Sequence, residues 1–183
     1  FNLPGRHNLS NALIALAMAV EYGCPHQQIA KALASYQGVK RRFSYHIKRD
    51  DLVYIDDYAH HPQEINAVHQ AVREMYPGKQ VLAVFQPHLF SRTRDFADDF
   101  AASLSQFDEV MLLDIYPARE LPIEGVTSTW LLEKIGNKNK VLISKSELIN
   151  KVKASQADVI LTIGAGDIGE QVKNIKHALS HED

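Results

Sequence analysis

The chain has 183 residues, 45% of them hydrophobic and 23% charged, with 20 basic against 22 acidic side chains, which is the make-up of an ordinary globular domain. A net charge of −2 gives no reason to expect nucleic acid or an acidic membrane surface as a partner, and no apolar run approaches the ~20 residues of a bilayer-spanning helix. The single cysteine, Cys24, can form no internal disulfide, which suits a reducing cytoplasm.

The sequence starts at Phe1 and passes through Leu3-Pro4-Gly5 straight into a helical pattern, so it reads as the C-terminal part of a longer polypeptide. Asn8 or Ser10 is expected to cap a first helix that continues from Asn11 to Tyr22 and stops at Gly23. That helix is apolar on nearly every side, so it is expected to be buried on several of them. Pro25 should open a second helix, with Ile29, Leu33 and Tyr36 on one stripe and Gly38 as its end. From residue 43 the pattern changes. Residues 42–48 and 52–55 read as a hairpin turned at Arg49-Asp50-Asp51. Pro62 fits the first turn of a helix that ends at Pro77-Gly78. Strands are then expected at 80–85, 109–113, 141–143 and 159–163, and helices at 94–106, 127–135 and 167–179, with a capping box from Ser144 to Glu147. Strands alternating with helices imply an α/β fold with a mostly parallel sheet covered on both faces. The domain boundary falls near residues 38–43.

Polar side chains gather where strands end. The run Tyr54-Ile55-Asp56-Asp57-Tyr58-Ala59-His60-His61-Pro62 places two carboxylates, an aromatic ring and two histidines at the carboxyl end of a strand, where open α/β sheets bind ligands. Adjacent histidines diverge, and no metal-ligand spacing accompanies them, so no metal site is expected. One histidine can cap the helix from Pro62 while the other faces the cleft. Gln86-Pro87-His88-Leu89-Phe90-Ser91-Arg92-Thr93-Arg94 also follows a strand. Arg94 can pair with Asp95 or Asp98, whereas Arg92, read as preceding the helix, is better placed to grip a carboxylate. In Lys40-Arg41-Arg42 a solvated basic patch competes with a phosphate contact. Asn8 and Asn11 share a helical face. Capping explains Asn8 but not Asn11, whose amide would suit the edge of a base. Gly164-Ala165-Gly166-Asp167-Ile168-Gly169 has the spacing of a dinucleotide fingerprint. Only 14 residues follow it, too few for the next strand and its acidic residue, so a tight strand-to-helix turn is the better reading.

Together these segments resemble the Mur ligases, ATP-dependent enzymes that add amino acids to the peptidoglycan precursor. The resemblance rests on Gly5-Arg6-His7-Asn8-Leu9-Ser10-Asn11, on Gly38-Val39-Lys40-Arg41-Arg42-Phe43, on the two polar runs above, on Tyr116-Pro117-Ala118-Arg119-Glu120 and on the glycine turn. It implies residues 1–42 as the helical tail of a central ATP-binding domain and residues 43–183 as a Rossmann-like C-terminal domain. It implies that His7, Asn8 and Asn11 lie near the adenine, that Arg42 meets the ATP phosphates, and that Asp57 meets the ribose. Tyr58, His60, His88 and Arg92 would form the amino-acid end, with Arg92 on the carboxylate and His60 and Arg92 as the catalytic pair. The polar runs are most similar to the branch that joins L-alanine to UDP-N-acetylmuramate through an acyl phosphate. A branch that recycles murein tripeptide is the alternative. Relatives often carry arginine at Leu89 and glycine at Ala59. No G-x-x-x-x-G-K-[ST] occurs in the 183 residues, so the P-loop and the magnesium ligands are expected in the missing central domain, and the chain alone is expected to be inactive. Two other classes stay open: a non-catalytic nucleotide-binding module, and a metallohydrolase built on His60, His61 and Asp57.

Overall fold

Alternation along the strands decides which residues of this chain can meet. The computed structural model describes residues 5–36 and 38–180. Helices α1 (Arg6–Glu21) and α2 (His26–Ser35) come first and pack against each other. The hairpin β1 (Ser44–Lys48) and β2 (Val53–Asp57) follows, closed by Arg49 donating its N–H to the Leu52 carbonyl at 3.0 Å. Then come α3 (Pro62–Met75), β3 (Val81–Phe85), α4 (Phe90–Asp95), α5 (Ala97–Leu104), β4 (Glu109–Leu112), α6 (Ser128–Lys134), β5 (Lys140–Leu142), α7 (Leu148–Ala154), β6 (Val159–Ile163) and α8 (Ile168–Ser180). The sheet order is β1-β2-β6-β3-β4-β5. β1 is antiparallel to β2 and the remaining pairings are parallel, so the α/β reading holds.

β2, β3 and β6 are buried along their whole lengths. Val53, Ile55, Val81, Ala83, Phe85, Leu161 and Ile163 face one core, filled by α3, α5 and α6. Tyr54, Leu82, Val84 and Ile160 face the other, filled by α7 and α8. Each fully buried aliphatic side chain contributes about 1.5–3 kcal/mol of transfer free energy. The helices after β2 and β3 cover one face and α8 after β6 covers the other, so the loops leaving these neighbouring strands part and open a crevice.

Local chemistry explains several boundaries. Pro62 occupies the first turn of α3, and the Thr127 hydroxyl caps α6 by accepting the Trp130 N–H at 3.1 Å. Gly23, at φ 85°, ends α1 as read. Other expectations need correction. α1 starts at Arg6 behind Gly5, with no side-chain cap, so Asn8 lies inside the first turn rather than capping it. Pro25 stands before α2 rather than within it. α1 is not buried on several sides: Leu13, Ile14 and Met18 are 55%, 60% and 69% exposed, and Asn11 is exposed too. The expected helix at 94–106 is two helices, broken at Phe96 and beginning at Phe90. Glu147 accepts the Ser144 N–H at 2.9 Å, half of a capping box, but α7 starts only at Leu148.

Candidate active site

One wall of the crevice is apolar. A cleft of about 780 Å³ lies between α1, α2 and the junction before β1. Asn8 and Asn11 stand on its α1 side, Leu16, Ile29 and Tyr36 give it apolar surface, and Arg42 lines its edge. The Arg42 side chain is half exposed, and its Nη1 lies 3.8 Å from Glu64 Oε1. The cleft thus offers apolar surface with side-chain amides on one side and a single guanidinium at its edge. His7 belongs to α1, and its side chain lies outside the described residues.

Asp56 and Asp57, adjacent at the end of β2, do not act as a pair. Consecutive strand residues point to opposite faces, so Asp56 lies on the side of Tyr54 and Asp57 on the side of Ile55. Asp57 is 2% exposed and does not line the apolar cleft. Its Oδ2 accepts the Phe43 N–H at 2.7 Å and its Oδ1 the Ala59 N–H at 2.8 Å, tying the junction to the loop after β2. Burial pushes its carboxyl up to about 6, against the pull of these amides and of Arg42. The folded chain therefore holds this proton where the unfolded chain, with an ordinary aspartate pKa of about 3.9, has released it. The group's stabilisation is complete below the unfolded value and is lost as pH rises through about 6. Asp57→Asn cannot ionise. The stability of the parent chain relative to this variant is expected to fall by about 2 kcal/mol from about pH 4.5 to about pH 7.5. Urea unfolding at both pH values checks this, and a constant difference contradicts it.

The other wall is aromatic and basic. Tyr58 and His60 lie edge to face at 5.4 Å, and His60 lies 6.2 Å from His88. His88 stacks on Tyr116 at 5.7 Å, and an isolated parallel bridge joins the same two residues. Arg92 brings Nη1 to 3.3 Å from His88 Nδ1. The structure thus brings Tyr58, His60, His88 and Arg92 together. Arg92 does so from within α4, not from a loop before it, because Leu89 takes φ 74° and starts the helix early. Burial first, then the charges of Arg92 and His60, hold His88 below the ordinary histidine range. Arg94 pairs with Asp95 at 2.8 Å on the surface, as expected. His61 precedes α3 without a side-chain cap bond, and its ring packs on Phe96 at 4.5 Å. His60, His61 and Asp57 therefore have separate surroundings, and among the described residues no three histidine, cysteine or acidic side chains form a metal-binding group.

Sequence reasoning missed Glu64, Tyr116, Gln86 and Arg41. Glu64 accepts the His60 N–H at 2.9 Å, lies 3.4 Å from the His60 ring and faces Arg42, so it bridges the two walls. Its place four residues after His60 at a helix start was the available signal. The Glu120 carboxylate accepts the Ser91 N–H at 2.9 Å, fastening the loop after Tyr116 to α4.

The glycine turn is filled by the protein itself. Gln86 Oε1 accepts the Ile168 N–H at 2.9 Å, and its Nε2 donates to Asp167 at 2.7 Å. A Cβ on Gly164, which has φ 144°, would stand 2.7 Å from the Gln86 carbonyl oxygen, and one on Gly166 would meet the Gln86 amide and Tyr116. The first amide of α8, where a dinucleotide pyrophosphate would sit, is thus occupied by Gln86, as the tight-turn reading requires.

Comparison with known proteins identifies the family of the chain. Residues 41–166 match the family described as Mur ligase, glutamate ligase domain. The chain is 70% identical over 182 residues to a UDP-N-acetylmuramate–L-alanine ligase of Flavobacterium psychrophilum, spanning 100% of this chain and 41% of that protein. It is 52% identical over 174 residues to the protein of the same name from Cytophaga hutchinsonii, spanning 95% of this chain and 37% of that one. The crystal structure of a UDP-N-acetylmuramate–alanine ligase from Thermotoga maritima superposes with a TM-score of 0.78 at 29% identity, covering 97% of this chain and 39% of that one. A folylpolyglutamate synthase of Mycobacterium tuberculosis, 18% identical with a TM-score of 0.68 over 99% of this chain and 41% of that one, shares the fold. The chain spans about 40% of the length of the curated relatives it matches. Because the family match covers more than half of its residues, and the sheet and the polar loops after β2 and β3 fall inside it, the chain belongs to the Mur ligase family.

Proposed function

We propose that this chain is the C-terminal part of an ATP-dependent ligase that joins L-alanine to UDP-N-acetylmuramate. Residues 1–42 are the helical tail of its central domain and residues 43–183 its C-terminal domain. The observation that carries the proposal is the pairing of two walls on one crevice: an apolar cleft edged by Arg42, and the Tyr58–His60–His88–Arg92 cluster, with Glu64 between them. ATP, when bound, supplies the phosphoryl group. The muramoyl carboxylate takes that group to become an acyl phosphate, and ADP leaves. The L-alanine amine then attacks the acyl carbon, inorganic phosphate leaves, and the nitrogen gives up a proton to form the amide. Asn8 and Asn11 orient the base, and Arg42 offsets phosphate charge. Arg92 holds the L-alanine carboxylate while Tyr58, His88 and His60 shape its pocket and present the amine, which makes His60 and Arg92 the catalytic pair. Asp57 supports the ribose side by fixing the junction at Phe43. The P-loop and the magnesium ligands belong to the rest of the ligase, which works in the cytoplasm.

Carboxylate activation has an isotopic signature. With the muramoyl carboxylate labelled with oxygen-18, one label is expected in the released inorganic phosphate when the full-length ligase turns over with L-alanine. The 183-residue chain alone is expected to release no ADP. Label-free phosphate, or L-alanine-dependent ADP release by the chain alone, contradicts the proposal.

A further inference from the structure

Arg42 reaches the cleft from a backbone bent at both of its neighbours. Arg41 has φ 62° and Phe43 φ 49°, left-handed values that residues with side chains keep only where their surroundings hold them. Two aspartates hold them. Asp57 takes the Phe43 N–H. Asp56, fully buried, accepts Arg41 Nε–H at 2.9 Å, and Arg41 also donates from Nη2 to the Gly164 carbonyl at 2.6 Å. Asp56 is fixed in turn by the Thr162 hydroxyl at 2.8 Å, which is hydrogen-bonded to the Tyr54 hydroxyl at 3.2 Å. Gly169 gives the guanidinium its space, since a Cβ there would stand 2.6 Å from Arg41 Cζ.

Arg41 touches the other wall as well. Its guanidinium carbon lies 5.1 Å from the centre of the Tyr58 ring, and its carbonyl accepts the Tyr58 N–H at 2.6 Å. Arg41 is therefore bonded covalently to Arg42, through its main chain to Tyr58, and through its side chain to the glycine turn. A buried ion pair adds little net stability, because desolvation offsets most of its attraction. Its value here is geometric.

We propose that Arg41 and Asp56 form a positioning clamp that sets Arg42 and Tyr58 as one unit, so that the nucleotide wall and the amino-acid wall keep a fixed relation. The clamp rests on the ligase function proposed above. Neither residue touches a substrate; both act through Arg42 and Tyr58.

Two measurements on the full-length ligase test it. Arg41→Met and Asp56→Asn are each expected to lower kcat/KM for ATP and for L-alanine together, on the order of a hundredfold, the scale of a displacement of about 1 Å. The double variant should be no worse than Arg41→Met alone, because both changes break one unit. Arg41→Lys keeps the charge but not the fork. It should show the same joint loss to a smaller degree, and it serves if Arg41→Met does not fold. Hydrogen exchange reads the clamp without activity: the Tyr58 and Phe43 amides should exchange about tenfold faster in the variants, with Val81 to Phe85 unchanged. Unaltered exchange at Tyr58 and Phe43 overturns the clamp, as does a loss confined to one substrate or a double variant whose losses multiply. If the unmodified ligase does not use L-alanine, the functional proposal fails, while the exchange rates still decide whether the clamp exists.

Discussion

Arg92→Ala in the full-length ligase is expected to lower kcat/KM for L-alanine by about a hundredfold or more, while KM for ATP stays within about twofold, because the loss of a guanidinium–carboxylate contact removes about 2–5 kcal/mol. Arg92 reaches the aromatic and basic wall from the helix α4, where its side chain meets a histidine nitrogen at 3.3 Å rather than a carboxylate. Its fork is thus available to an anion, and a planar fork suits two carboxylate oxygens. Arg92→Lys keeps the charge without the fork and is expected to recover only part of the loss. A second readout is independent of turnover. Arg92 helps to hold His88 below the ordinary histidine range, so Arg92→Ala should raise the His88 titration midpoint seen by NMR. A loss shared equally between ATP and L-alanine would move Arg92 out of the amino-acid pocket.

Gly164→Ala is expected to have the largest effect on stability, about 3 kcal/mol or more, or a fall of about 10 °C in Tm. Two costs add at this position. The residue has φ 144°, and the new Cβ would lie 2.7 Å from the Gln86 backbone oxygen and 3.4 Å from Ile168 Cγ2. Gln86 is 1% exposed and holds the start of α8, so it has nowhere to retreat. Gly78 and Gly125 share the positive φ, both at 77°, but a Cβ there meets nothing within 4 Å. Alanine at either is expected to cost about 1 kcal/mol, the backbone term alone. Equal melting temperatures for the three variants would show that the close approach to Gln86 carries no weight.

The physics of single elements was legible in the sequence. The apolar run Val81–Phe85 marked β3 and the largely β-branched run Val159–Ile163 marked β6, Pro62 marked the start of α3, and Gly23 marked the end of α1. The site was legible where polar residues followed strands: Tyr58, His60, His88 and Arg92 do converge. What escaped depended on direction and on partners. Strand alternation could have separated Asp56 from Asp57, yet adjacency in the sequence suggested a carboxylate pair. Lys40-Arg41-Arg42 offered three cations, and only the left-handed turn shows that Arg41 points inward to Asp56 while Arg42 lines the cleft. The early start of α4 depends on Leu89 at φ 74°, a conformation that no local signal in Pro87-His88-Leu89 announces. The apolar surface of α1 reads as buried from composition, but α2 is the helix it packs on and covers only part of it.

The most direct test is a competition. The full-length ligase is given UDP-N-acetylmuramate and ATP with equal concentrations of L-alanine and murein tripeptide, and the products are identified by mass. The L-alanine adduct should predominate by about a hundredfold or more, the discrimination that a pocket built around one small amino acid and its carboxylate can reach. Equal amounts of the two adducts, or tripeptide as the preferred acceptor, would contradict the assignment of the Tyr58–His60–His88–Arg92 wall to L-alanine.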